Sequence, residues 1–134
     1  VDSSRSTITS ESRLEKGVEK QVEIFGEAMR NSYQEGPEDI RHINKWLANT
    51  FGDYYTRKGL SVAHREMITF CFLAAQGGCE AQVKAHVEGN LNVGNSKQYL
   101  INIASQCVPY IGYPRTLNAL RCIQEGYTAW DSKQ

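Results

Sequence analysis

The stretch 65–114 reads REMITFCFLAAQGGCEAQVKAHVEGNLNVGNSKQYLINIASQCVPYIGYP, and its pattern decides the fold. Apolar residues recur in it at helical spacing until the pair Gly77-Gly78 interrupts them. A helix that begins after Ser61, a favoured N-cap residue, is therefore predicted to end at this pair. The next helix is predicted over residues 79–92. Helices joined by so short a turn tend to pack antiparallel.

The same helical spacing continues outside this stretch, over residues 11–30, 37–51, 96–108 and 114–127. The stripes of the first two of these helices are Leu14, Val18, Val22, Phe25 and Met29, and then Ile40, Ile43, Leu47 and Phe51. There is no sustained period-two alternation and no Asn-Gly hairpin that would indicate strands. The sequence thus predicts an all-α protein of about six helices with short loops.

Caps and breaks predict where these helices begin and end. Pro37 suits the first turn of one helix, and Gly52 is predicted to end it. Ser96 is predicted to cap the helix that it precedes, and Pro109 and Gly112 to interrupt the chain after that helix.

Composition limits the classes of function. The 134 residues are 40% hydrophobic and 22% charged, as in ordinary globular domains. We expect a flexible polar tail over 1–12 and a single all-helical domain over 13–134. The 15 basic and 15 acidic residues balance, which argues against nucleic acid as a partner. No apolar run approaches the roughly 20 residues of a membrane span. With no apolar secretory segment near Val1, we expect a cytoplasmic protein with no membrane partner.

The four cysteines are Cys71, Cys79, Cys107 and Cys122. They form no CxxC pair and no Cys/His set at zinc-binding spacing, so no metal site is predicted. The ordinary interpretation of all but Cys79 is a free thiol in the core.

Glu66 is the first candidate for chemistry. On a helical wheel it falls on the same face as Phe70 and Leu73. A carboxylate on an apolar face is costly unless it is paired, hydrogen-bonded or protonated. It is therefore either a structural ion pair, with an arginine such as Arg65 or Arg121, or an acid/base or orienting group.

His86 is the second candidate. Cys79, Gln82 and His86 are spaced three and four apart and share one helix face. A lone histidine at an apolar border is more often structural than functional. A glutamate on the preceding helix favours a function, because the Gly-Gly turn could bring Glu66 and His86 to the same pocket.

Two segments resemble the carboxymuconolactone decarboxylase family, within the alkylhydroperoxidase D-like superfamily: LSVAHREMITFCFLAAQGGCEAQVKAHVEGNLNVG (60–94) and IASQCVPYIGYPRTLNAL (103–120). The RE pair, the histidine before a helix that ends NVG, and the YIGYP–NAL segment stand in family order. The resemblance implies an alkylhydroperoxidase D-like helical bundle. It also implies a homo-oligomer, first of all a homohexamer built as a trimer of dimers.

The resemblance further implies a lyase without a cofactor, which decarboxylates a carboxylated lactone in aromatic catabolism. Its partner would be a small-molecule substrate. His86 would be the proton donor or shuttle, and Glu66 would orient it. Capture of the substrate carboxylate needs a cation, for which Arg65, Arg115 and Arg121 are candidates.

The superfamily also contains peroxidases, which carry CxxCxxxH. Aligned on His86, Cys79 takes the first cysteine position and Gln82 takes the second, so the resolving thiol of that motif is missing. Peroxiredoxin activity of Cys79 with an outside thiol is the alternative that this pattern leaves open. A second alternative is a non-catalytic member that binds a small metabolite.

Overall fold

The computed structural model describes residues 4–134, and every regular element in that range is a helix. The predicted all-α class is therefore confirmed. The α-helices are α1 (Arg13–Phe25), α2 (Arg41–Tyr55), α3 (Val62–Gln76), α4 (Glu80–Asn92) and α5 (Lys97–Asp131). Two short 3-10 turns, Glu27–Met29 and Ser32–Gln34, follow α1. Gly112 divides α5, so the described chain has six α-helical segments.

The chain divides into two compact units, one that ends at Val62 and one that spans Ala63–Gln134. The predicted tail 1–12 and single domain 13–134 stay predictions, and residues 1–3 of that tail lie outside the described range. Two residues of the predicted tail, Arg5 and Thr7, form hydrogen bonds with residues after α2. The Lys58 amide donates to the Arg5 carbonyl, and the Thr7 hydroxyl donates to the Thr56 carbonyl.

In the N-terminal unit, α1 and α2 touch backbone to backbone at two glycines. A Cβ at Gly17 would lie 1.9 Å from the Ala48 carbonyl oxygen, and one at Gly52 would lie 2.0 Å from the Arg13 carbonyl oxygen. Gly52 was predicted to end α2, which is wrong, because the helix continues to Tyr55. Here glycine is required by the close approach of two helices and not by a turn.

This close approach also decides which faces of α1 and α2 are buried. On α1 the buried residues are Gly17, Val18, Gln21 and Ile24, and of the predicted stripe only Val18 is among them. On α2 only Phe51 of the predicted stripe is buried, while Ile40, Ile43 and Leu47 are exposed. The helix presents Ala48 and Gly52 to α1, and Phe51 packs edge-on against Phe25 of α1, whereas Ile43 and Leu47 point away.

The C-terminal unit has one apolar core, to which α3, α4 and α5 all contribute. Its fully buried members include Phe70, Val87, Leu100 and Ile123. A Cβ at Gly126 would lie 2.7 Å from Val87 Cγ1, so α5 approaches α4 closely there.

The ends of these helices mostly follow the predicted signals. Gly77 and Gly78 both have φ near +72°, which ends α3 as predicted. The Ser96 side chain accepts from the Tyr99 amide at 3.0 Å, which confirms the predicted cap. Pro109 lies within α5 and does not interrupt it, whereas Gly112, with φ +81°, does. None of the helices within residues 4–134 has the length and apolar character to cross a membrane.

Replacement of Gly52 tests the α1–α2 contact. Gly52→Ala should lower the free energy of unfolding by about 1–3 kcal/mol, because the new methyl group collides with the Arg13 backbone. Alanine for glycine in an unobstructed helix would instead stabilise by about 0.5–1 kcal/mol. Chemical denaturation measures the difference. Thr50→Ala, at an exposed position of α2, is the control and should stay within about 0.5 kcal/mol of the parent.

Candidate active site

Glu66 lies on the buried face of α3. The helix buries Glu66, Phe70 and Ala74, which are spaced four apart and therefore follow one another along one side. The Glu66 side chain has no exposed surface. Its carboxyl group must find its polar partners inside the protein, because a buried carboxylate without them is strongly destabilising.

His86, on α4, provides such a partner. Its Nδ1 lies 2.7 Å from Glu66 Oε1, a hydrogen-bond distance. The two side chains differ in access to solvent, since His86 is 16% exposed and Glu66 is 0% exposed. The structure thus brings together the two residues that the sequence analysis expected to meet. The imidazole is reachable from solvent, and the carboxylate behind it is not. Their catalytic roles stay predictions.

Two asparagines connect the helices that carry this pair. The Asn90 side-chain amide donates to the Glu66 carbonyl at 3.1 Å and to the His86 carbonyl at 2.6 Å. Asn95 Nδ2 in turn donates to Asn90 Oδ1 at 2.8 Å and to the Ala63 carbonyl at 2.9 Å. Asn90 is fully buried, so these bonds fix the position of α3 against α4 away from water.

The sequence analysis missed both asparagines, although one signal was available for Asn90. It follows His86 by four residues and stands between Val87 and Leu91, which are both buried. A polar residue on the buried face of a helix usually has a specific partner. No comparable signal exists for Asn95, because it lies in the turn after α4, and its bond to Ala63 joins distant parts of the chain.

Cys79 lies elsewhere on α4, at its N-cap. Its Sγ is 3.3 Å from the Leu73 carbonyl oxygen, to which the thiol donates. Cys79, Arg115 and Cys122 are among the residues that line a cavity of about 10 Å³, and Glu66 and His86 are not. The three predicted catalytic residues therefore divide between a Glu66–His86 pair and a thiol beside a small cavity.

All four cysteines are free thiols, which was predicted for Cys71, Cys107 and Cys122. Cys122 is buried, and the others are half-buried. Burial, with a smaller effect of the neighbouring Cys107, raises the pKa of Cys71 to about 11, so that thiol is protonated at neutral pH. Within residues 4–134, no three or more His, Cys, Asp or Glu side chains are grouped to hold a metal ion.

Comparison with known proteins identifies the family of this chain. The sequence profile of the carboxymuconolactone decarboxylase family matches residues 42–125, which include α3, α4 and most of α5. The chain belongs to this family. A 4-carboxymuconolactone decarboxylase from Acinetobacter baylyi is 27% identical over 120 residues, which cover 88% of this chain and 89% of that protein. The resemblance found in the sequence is confirmed.

Replacement of Asn90 tests the connection between α3 and α4. Asn90→Leu keeps the branched shape of the side chain, with a larger volume, but removes both N–H donors and leaves Asn95 Nδ2 with one acceptor fewer. We expect the free energy of unfolding to fall by about 1–3 kcal/mol, as measured by chemical denaturation. Asn102→Ala, at an exposed asparagine of α5, is the control and should change little. Equal stabilities of Asn90→Leu and the parent would contradict a stabilising role for these bonds.

Proposed function

We propose that this protein is a cofactor-independent decarboxylase of a carboxylated lactone in aromatic catabolism, with His86 and Glu66 as its reactive pair. The observation that carries the proposal is the 2.7 Å contact between a buried carboxylate and a partly exposed imidazole. Family membership and the decarboxylase from Acinetobacter baylyi support the reaction type.

The chemistry requires a proton donor. When a carboxylated unsaturated lactone loses carbon dioxide, the electron pair of the broken C–C bond is delocalised into the lactone. A proton must then be delivered to carbon. A positioned imidazole is a common donor for such a step near neutral pH. The exposed fraction of the His86 side chain allows a substrate to reach it.

Glu66 acts through His86 in this proposal. With its oxygen at Nδ1, the carboxylate holds the ring in one orientation and directs proton delivery to Nε2. It also stabilises positive charge on the ring while the ring is protonated. Because Glu66 is fully buried and His86 is only 16% exposed, water weakens this interaction less than it would at the surface. Glu66 is a positioning residue, and His86 is the residue that meets the substrate.

Substrate binding requires a cation. It would pair with a carboxylate that the substrate keeps through the reaction, or with the negative charge that develops on the lactone. Of the three candidate arginines, Arg115 lines the cavity at the start of α4. It also lies across the α3–α4 turn, where its Nε would be 3.0 Å from a Cβ at Gly77. We propose Arg115 as the first arginine to test. Its guanidinium could bind a carboxylate through two hydrogen bonds.

Two substitutions test the pair. His86→Ala should reduce the rate of 4-carboxymuconolactone decarboxylation by about 10²–10⁴-fold, because the proton donor is lost. Glu66→Gln should reduce it less, because the amide still bonds to the ring but carries no charge. The assay follows loss of the lactone, and thermal melting is measured on the same samples. His64→Ala, at an exposed histidine of α3, is the control and should keep the parent rate.

Other outcomes would support a structural role for the Glu66–His86 pair or a redox function of Cys79. A Glu66→Gln protein with a lowered melting temperature and an unchanged rate per folded molecule would show that the pair is structural. Peroxide consumption with dithiothreitol is assayed in parallel. If the parent consumes peroxide and leaves the lactone intact, and Cys79→Ser stops that consumption, the redox function replaces the decarboxylase.

We also propose that the protein is a homo-oligomer, with a hexamer as the expected state. Within the N-terminal unit, Ile43 and Leu47 are exposed on one side of α2, next to Trp46, which is 63% exposed, and Ile40 is exposed at the N-cap of the same helix. An apolar stripe of this kind commonly covers another surface. A second chain of the same kind is the occupant that we propose.

Light scattering at micromolar concentration should therefore give the mass of six chains. Ile43→Glu should shift the distribution towards smaller species, because it places a charge in the apolar stripe. Lys45→Glu, also exposed on α2 but outside the stripe, is the matched control and should assemble like the parent. A monomer mass for the parent would refute the proposal.

A further inference from the structure

We propose that Cys79 and Cys122 form a reversible disulfide, so that the contact between the start of α4 and α5 is a redox modification site distinct from the Glu66–His86 pair. The two cysteines are far apart in the sequence, and no short motif joins them. They nevertheless line the same cavity of about 10 Å³, which holds roughly one water molecule.

The hydrogen bonds of the two thiols place both of them near the start of α4. Cys122 Sγ lies 3.7 Å from the Glu80 carbonyl oxygen, and Glu80 is the residue after Cys79. Cys79 Sγ is bonded to the Leu73 carbonyl, at the opposite end of the Gly-Gly turn. Both thiols are thus held by backbone carbonyls and by no charged side chain. Rotation of either side chain breaks only one weak bond.

The packing of α4 against α5 explains why the two positions are near each other. One turn beyond Cys122, Gly126 brings α5 close to α4, since a Cβ there would lie 3.2 Å from the Lys84 carbonyl and 2.7 Å from Val87 Cγ1. Cys122 contacts Glu80, and four residues later on each helix Gly126 contacts Lys84. The two helices therefore run alongside each other in the same direction in this region. Disulfides need such a close approach of their backbones.

The two thiols differ in exposure to solvent, and this difference sets the order in which they react. Cys79 is half-buried, whereas Cys122 is 2% exposed. Burial raises the pKa of the Cys122 thiol, with the Arg121 charge acting in the opposite direction. An oxidant from solvent therefore meets Cys79 first. Cys122 reacts only with a group already held on Cys79.

The chemistry balances with a hydroperoxide as the oxidant. The Cys79 thiolate attacks a peroxide oxygen, an S–O bond forms, the O–O bond breaks, and hydroxide leaves to become water. The Cys122 thiolate then attacks the Cys79 sulfur, an S–S bond forms, the S–O bond breaks, and a second water is released with the proton of Cys122. Two thiols are oxidised and one hydrogen peroxide is reduced. A dithiol such as dithiothreitol reverses the result by exchange.

Such a bond would constrain the helix that carries the proposed active site. Cys79 begins α4, and His86 lies about two turns further along it. A cross-link to α5 would hold the start of α4 in place and restrict the unfolded chain, so the melting temperature should be higher in the oxidised protein.

The experiment uses a full-length protein in which only Cys79 and Cys122 remain. The background variant is Cys71→Ser with Cys107→Ser, and its reduced melting temperature is compared with that of the parent. Trypsin cleaves after Arg65, Lys84, Arg121 and Lys133, so the two cysteines fall in the separate peptides 66–84 and 122–133. Cys71 shares the first of these peptides with Cys79, which makes its replacement necessary for an unambiguous assignment.

Hydrogen peroxide should lower the intact mass of this protein by two hydrogen atoms, raise its melting temperature and link the two peptides. Dithiothreitol should reverse all three changes. Adding Cys122→Ser should abolish the link and leave Cys79 carrying one or more oxygen atoms. If the background variant does not fold, the parent is oxidised instead and fragment spectra assign the linked cysteines. Oxygen addition to Cys79 without any linked peptide, in whichever folded protein is used, would overturn the proposal.

Discussion

The contact between Glu66 and His86 is the interaction on which the rest of the C-terminal unit depends. A carboxylate without exposed surface loses its hydration on folding, and this cost is recovered only through partners inside the protein. The imidazole supplies one at 2.7 Å. A small sliding of α3 against α4 would lengthen this bond and leave a buried charge poorly paired. The relative position of these helices is therefore energetically constrained.

Several features of the chain satisfy that constraint. The Gly77-Gly78 turn reverses the chain over a short distance because glycine adopts positive φ without strain. The amide of Asn90 bonds to the carbonyl groups of both Glu66 and His86, so it spans the two helices at the level of the pair. Asn95 Nδ2 donates a hydrogen bond to the oxygen of that amide. The apolar core then excludes water from the same region.

The helix α4 carries two groups of potentially reactive side chains, one at its middle and one at its start. His86 and its carboxylate partner lie in its middle, and Cys79 lies at its start, beside Cys122 of α5. Because one rigid helix carries both, a covalent change at its start can affect the position of the imidazole. Binding of a substrate carboxylate near Arg115 would occur at the same end as the thiols. The two groups of residues are thus separate, but the same helix carries both.

The sequence by itself determined the all-α class, the end of α3 at Gly77-Gly78, the cap at Ser96 and the candidates Glu66 and His86. These follow from local signals, since capping, turn formation and helical periodicity involve residues within a few positions of each other. Only the tertiary structure decided that Gly52 lies inside a helix, that the apolar stripe of α2 is exposed, and that Asn95 and Cys122 stand beside the proposed sites. Those properties depend on which helices approach each other and how closely, and contacts between distant segments are not encoded in the spacing of neighbouring residues.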